Sequence, residues 1–156
     1  MIFRESIMEF RRSKPDDAPM IRGLELEYFA DPWSERDIFS AICTDGAMCY
    51  SAVGDDGSIV AYVLARLIAP EAEIYRVAVR SDKRRRGIGY RLLDYAIKSE
   101  RGHGLESVFL EVRESNVPAR NLYRSYGFVE IGERKRYYHD PVESAIVMFK
   151  GNTTQI

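Results

Sequence analysis

The chain has 156 residues, of which 46% are hydrophobic and 30% charged, and its net charge is −1. This is the length of one domain, residues 1–156, with enough apolar content for a sizeable core. The near-neutral balance argues against a nucleic-acid binder, no apolar run is long enough to span a membrane, and the N-terminus is too charged for a signal peptide, which leaves the cytoplasm as the default compartment.

Residues 1–7 read as a leader, and Met8-Glu9-Phe10-Arg11 alternates as a short first strand. Lys14-Pro15-Asp16-Asp17-Ala18 opens a helix, because acidic residues in a first turn face the positive end of the helix dipole. Met20, Ile21, Leu24 and Tyr28 give that helix its apolar spacing. Ala30-Asp31-Pro32-Trp33 breaks it. Ser34 then caps a second helix whose stripe is Ile38, Ala41 and Ile42. Met48–Val53 is a strand, Gly54-Asp55-Asp56-Gly57 a hairpin turn, and Ser58–Leu67 the returning strand.

Residues 72–79 form a fourth, β-branched strand, followed by Lys83-Arg84-Arg85-Arg86-Gly87-Ile88-Gly89. After the glycines the period changes to i, i+4 (Ile88, Leu92, Ala96 and Gly89, Leu93, Ile97), which marks a helix over about 87–101. A basic, glycine-containing loop entering a helix N-terminus is suited to an anion such as a diphosphate: the first-turn N–H groups lack internal partners and the arginines add charge-assisted hydrogen bonds. GxxxxGK[ST] is absent, and Leu92 stands where GxGxxG needs its third glycine, so neither a P-loop nor a Rossmann site fits. The plain alternative is a solvated basic loop capping a helix.

Gly102 and Gly104 stop that helix, and Leu105–Val112 is a strand. Arg113-Glu114-Ser115-Asn116 turns into a helix over about 117–126 with Pro118 in its first turn. A strand starts at Phe128-Val129-Glu130-Ile131, Tyr137–Pro141 is a loop, Ser144–Phe149 is the last strand, and 151–156 is a frayed tail. Cys43 and Cys49 lack CxxC spacing and read as reduced, partly buried thiols. His103 and His139 are far apart, and no metal-ligand pattern exists.

The strand–R-x-x-G-x-G–helix unit resembles the coenzyme A pyrophosphate loop of the GCN5-related N-acetyltransferase (GNAT) family. The run Leu110–Asn116 and the segment Leu122-Tyr123-Arg124-Ser125-Tyr126-Gly127-Phe128 resemble that family's second half, in its order and spacing. Asp31–Glu35 and the ending Tyr137–Met148 are similar in particular to the RimI group, N-terminal alanine acetyltransferases that act on ribosomal protein S18, and the likeness spans about residues 8–149. One departure is Arg84, where RimI-like proteins commonly carry Gln.

The resemblance implies a mixed α/β fold: a mostly antiparallel sheet with helices on both faces. It implies acetyl-CoA as cofactor and a protein or peptide N-terminus, such as that of a ribosomal protein, as partner, with no direct nucleic-acid or membrane contact. By motif position, the main chain of Val77, Ala78 and Val79 would pair with the pantetheine arm. Arg84, Arg85, Arg86, Gly87, Ile88, Gly89 and Tyr90 would hold the pyrophosphate, and Asn116 would bond the arm or simply cap its helix. Transfer to an amine needs a base, for which Glu111 at a strand end is the candidate; Glu114 in the turn is the rival. A departing thiolate needs an acid, for which Tyr123 is the candidate, with Tyr126 assigned to the core. Trp33, Tyr137 and Tyr138 would bound the peptide. Glu35 would attract the ammonium or merely occupy its helix's first turn. Two other classes stay open: an acetyltransferase for small amines such as polyamines, and a non-catalytic acyl-CoA-binding module.

Overall fold

A computed structural model describes residues 8–151; the expected leader and the tail beyond Gly151 lie outside the described residues. Strand β1 (Glu9–Arg12) leads through a 3-10 turn at Pro15–Asp17 into α1 (Ala18–Tyr28) and α2 (Glu35–Cys43). Strands β2 (Tyr50–Val53), β3 (Ile59–Ile68) and β4 (Glu71–Val79) follow, then α3 (Ile88–Glu100), β5 (Ser107–Arg113), α4 (Val117–Tyr126), β6 (Val129–Tyr138) and β7 (Glu143–Lys150). The seven strands form one sheet in the order β1-β2-β3-β4-β5-β7-β6, in which β4 and β5 are the parallel pair and the other neighbours are antiparallel.

Alternation along β3 explains the layers. Ala61, Val63 and Ala65 face a core shared with Leu92, Leu93, Ala96 and Ile97 of α3 and Tyr123 and Tyr126 of α4. Tyr62 and Leu64 face the opposite way, into a core shared with Ile21 and Leu24 of α1 and Ile38 of α2. The helices therefore cover both faces, as expected. The ends are capped as the sequence indicates: Ser34 Oγ accepts from the Asp37 N–H at 3.0 Å, and Asn116 Oδ1 accepts from the Ala119 N–H at 3.3 Å.

Three readings change. Met20 is exposed, and the inward position on α1 is taken by Glu25. Strand β6 runs on through Glu133-Arg134-Lys135-Arg136 to Tyr138, so Tyr137 and Tyr138 end a strand rather than open a loop. It is an edge strand, exposed along nearly its whole length, where charged side chains are tolerated. Of the two thiols only Cys49 is buried, which pushes its pKa up to about 11, while Cys43 is exposed.

The feature that positions the site is a parting of strands. Pairing of β4 with β5 ends at Ile74↔Leu110, yet β4 continues to Val79 and β5 to Arg113. A bulge falls at the same point. Leu64 pairs with Arg76 and Ala65 with Ile74, so Tyr75 is the extra residue on β4. Past the bulge, Val77, Ala78 and Val79 still pair with Val63, Tyr62 and Ala61 on one side. Their other edge faces the gap left by β5.

Candidate active site

A cleft of about 550 Å³ opens where the strands part. Tyr75, Arg76 and Val77 line it from β4, Glu111, Val112 and Arg113 from β5, and Asn116, Ala119 and Tyr123 from the turn and helix that follow. Trp33 also lines it, as do Tyr137 and Tyr138, packed edge to face with ring centroids 5.1 Å apart. The structure thus brings seven expected site residues together: Trp33, Val77, Glu111, Asn116, Tyr123, Tyr137 and Tyr138.

Glu111 alternates outward on β5 between the buried Leu110 and Val112, which points it into the cleft. Its side chain is 14% exposed and pairs with Arg134 Nε at 2.9 Å; the Arg134 side chain is 60% exposed. A hydrogen bond to Glu111 raises the pKa of Tyr137. Burial, and then the charge of Glu111, push Tyr138 up to about 12. Glu114 is exposed and outside the cleft lining, as its place in the turn suggests.

Tyr123 is 5% exposed, with its ring 5.7 Å from that of Phe128. Burial raises its pKa well above that of a free phenol, so it stays protonated and able to donate at neutral pH. Tyr126, three residues on, donates to Asp94 Oδ1 at 3.0 Å and belongs to the core. Asn116 serves its helix and lines the cleft at once.

The basic loop lies farther along, past the end of β4. Gly87 caps α3 at φ +73° with open space beside it, and Arg85 also has a positive φ, so backbone N–H groups there sit in a turn rather than a strand. Gly89 acts differently. A Cβ on it would lie 3.0 Å from Leu122 Cδ2 and 3.3 Å from Val79 Cγ2, so glycine lets α3 start hard against β4 and α4. Ala78 and Ile88 are buried, which limits what they can offer a cofactor to main-chain groups. Arg84 turns back, donating from Nε to the Val79 carbonyl at 2.9 Å and lying over the Tyr28 ring. Arg85, Arg86 and Tyr90 are exposed. A positive, open backbone loop beside an unpaired strand edge fits a diphosphate with a long polar arm.

Glu35 does not reach the cleft. It is exposed in the first turn of α2 and absent from the lining, so the helix-dipole role is the one the fold gives it.

Several residues in or behind the cleft wall escape sequence reasoning. Glu25 is 0% exposed; its Oε1 accepts from Arg76 Nε at 3.1 Å and from the Trp33 N–H at 3.0 Å, and its Oε2 accepts from the Tyr62 hydroxyl. Arg22 bonds the Trp33 carbonyl at 2.6 Å, so both main-chain polar groups of Trp33 are tied to α1. Arg76 also bonds the Asp31 carbonyl at 2.6 Å and stacks on Phe29. This network fixes the wall of the cleft. The signal in the sequence is position alone: Glu25 stands four residues after Ile21, on the buried stripe. Glu73 also lines the cleft, brought near Glu111 by the parallel register Glu73↔Phe109.

Residues 18–128 match the model of the acetyltransferase (GNAT) family. The [ribosomal protein bS18]-alanine N-acetyltransferase of Escherichia coli strain K12 is 33% identical over 135 residues, covering 85% of this chain and 89% of that relative. Among solved structures, the Escherichia coli ribosomal-protein-S18-alanine N-acetyltransferase superposes with a TM-score of 0.85 at 30% identity, over 94% of each chain. Ard1 from Thermoplasma volcanium gives a TM-score of 0.85 at 25% identity, over 93% of this chain and 97% of that one.

Proposed function

Because the chain belongs to the acetyltransferase (GNAT) family, we propose that it transfers acetyl from acetyl-CoA to the α-amino group of a protein N-terminus, as a single-domain cytoplasmic enzyme, with a ribosomal protein as the partner its relatives suggest. The observation that carries the reading is the presence of Glu111 and Tyr123 in one cleft, at the point where β4 and β5 part.

Acetyl-CoA, when bound, supplies an acetyl group activated as a thioester. The open edge of Val77, Ala78 and Val79 aligns the pantetheine arm, Asn116 offers its side-chain amide to the same arm, and the loop of Arg84, Arg85, Arg86, Gly87, Ile88, Gly89 and Tyr90 holds the pyrophosphate. Trp33, Tyr137 and Tyr138 bound the peptide. A free α-amino group has a pKa of about 7.7–8.0, so a carboxylate suffices to take its proton, and Glu111, which lines the cleft, takes that role. Tyr123, held protonated by burial, donates toward the departing sulfur, whose thiol pKa is about 8.5. A lysine amine, at about 10.4, is harder to deprotonate, which favours the α-amine.

The cleft's own charge argues against a polyamine pocket. Asp31, Glu73 and Glu111 are set among Arg76, Arg113 and Arg134, so the lining is mixed rather than strongly acidic. Coenzyme A release is to be followed with short peptides starting in Ala, Ser, Met or Glu, with an N-blocked peptide carrying an internal Lys, and with polyamines. Turnover on free N-termini, Ala or Ser among them, is expected. Turnover confined to polyamines, or cofactor binding with no turnover at all, contradicts the reading.

A further inference from the structure

Glu73 is the one carboxylate of the cleft that the arrangement leaves open. Asp31 is within ion-pair distance of Arg76 and Arg113, and Glu111 is paired with Arg134. Glu73 makes no hydrogen bond or ion pair within the limits of either contact among the described residues, although it is half-buried and lines the cleft. An unpaired carboxylate withdrawn from water is costly unless something charged or hydrogen-bonding comes to it. Its position is fixed by the rigid part of the sheet. Glu73 sits one residue before the last paired position of β4 and opposite Phe109 of β5, two residues short of Glu111 on the same face. The half-buried setting and the nearby Glu111 charge both raise its pKa, and Arg134 opposes them, as expected for a carboxylate in want of a cation.

The substrate supplies one. At neutral pH an α-amino group is largely protonated, so it arrives as an ammonium while Glu111 is still held by Arg134. We propose that Glu73 is the residue that docks the incoming α-ammonium, anchoring the cation on the cleft floor beside Glu111. The inference rests on the N-terminal acetyltransferase reading and adds to it a specificity-determining residue on β4, distinct from the base and the acid. It explains why the cleft carries two carboxylates on adjacent strands when proton removal needs one.

The test compares an Ala-started peptide with its des-amino analogue, the same chain with propionyl in place of Ala. Binding of each is measured at pH 7 in the presence of coenzyme A, in the wild type and in Glu73→Gln and Glu73→Ala. Glu73 makes no bond that holds the fold, and an unchanged KM for acetyl-CoA checks that the variants are intact. The wild type is expected to prefer the free-amine peptide about tenfold, the size of one charge-assisted hydrogen bond. Both variants should lose that preference by weakening the free-amine peptide alone. A preference that survives in both, or an equal weakening of both peptides, overturns the assignment of Glu73 while leaving peptide turnover intact. Absence of peptide turnover in the wild type overturns the underlying functional reading instead.

Discussion

Replacing Glu111 by Gln, or Tyr123 by Phe, is expected to lower kcat by about 10²-fold or more while leaving the KM for acetyl-CoA nearly unchanged, the range in which positioned acids and bases act. Neither change should cost much stability. The Glu111 carboxylate pairs with a largely exposed arginine, and such pairs contribute little. The Tyr123 ring, packed against Phe128, is retained in the Phe variant. Steady-state kinetics beside a thermal melt separates the two effects; a Tyr123→Phe enzyme with wild-type kcat would remove Tyr123 from the chemistry. The pH profile has a definite sign. The α-amine enters as its ammonium and gives its proton to Glu111, so kcat/KM is expected to hold through neutrality and to fall as pH rises through about 7.7–8.0, where that ammonium is lost. Because burial raises the Tyr123 pKa above that of a free phenol, its deprotonation brings no alkaline fall below about pH 10.

Glu25→Ala should be the most destabilising substitution near the site. The carboxylate is fully buried and satisfies Arg76, the Tyr62 hydroxyl and the Trp33 N–H together. Its removal takes away the buried partner of the Arg76 guanidinium, whose side chain is only 12% exposed, and leaves it the more exposed Asp31. Breaking a buried pair from one side costs about 3–5 kcal/mol. For a chain of this length that lowers Tm by roughly 6–20 °C. The peptide KM should rise with it, because Trp33 loses one of its two ties to α1. Glu25→Gln keeps hydrogen-bonding capacity without the charge and should fall between the two. A Glu25→Ala variant melting within about 2 °C of wild type would show that the network does not hold the wall.

The two halves of the site differ in how visible they are in the chain. The order of elements, both helix caps and the glycine loop follow from local signals, because periodicity, Ser34, Asn116 and Gly87 each act within one turn of the backbone. Tyr123 and Glu111 are legible because each stands at a fixed place after a recognisable segment. The cleft itself is not. It arises where β4 stops pairing with β5, and pairing between strands separated by α3 leaves no mark on either. Glu73 meets Glu111 through that same parallel register. Glu25 reads as a surface residue of an amphipathic helix until Arg76 and Tyr62, 51 and 37 residues away, are folded against it. The polar run 133–136 hides the second half of β6, since alternation fails as a signal on an exposed edge.

The central claim is that the acceptor is an N-terminal amine. It is tested most directly by giving the enzyme one peptide with a free Ala N-terminus and an internal Lys, together with acetyl-CoA, and locating the acetyl group by tandem mass spectrometry. The account predicts a single acetyl group, on the α-nitrogen. An acetyl group on the Lys side chain, or an unmodified peptide under conditions where acetyl-CoA binds, would contradict it.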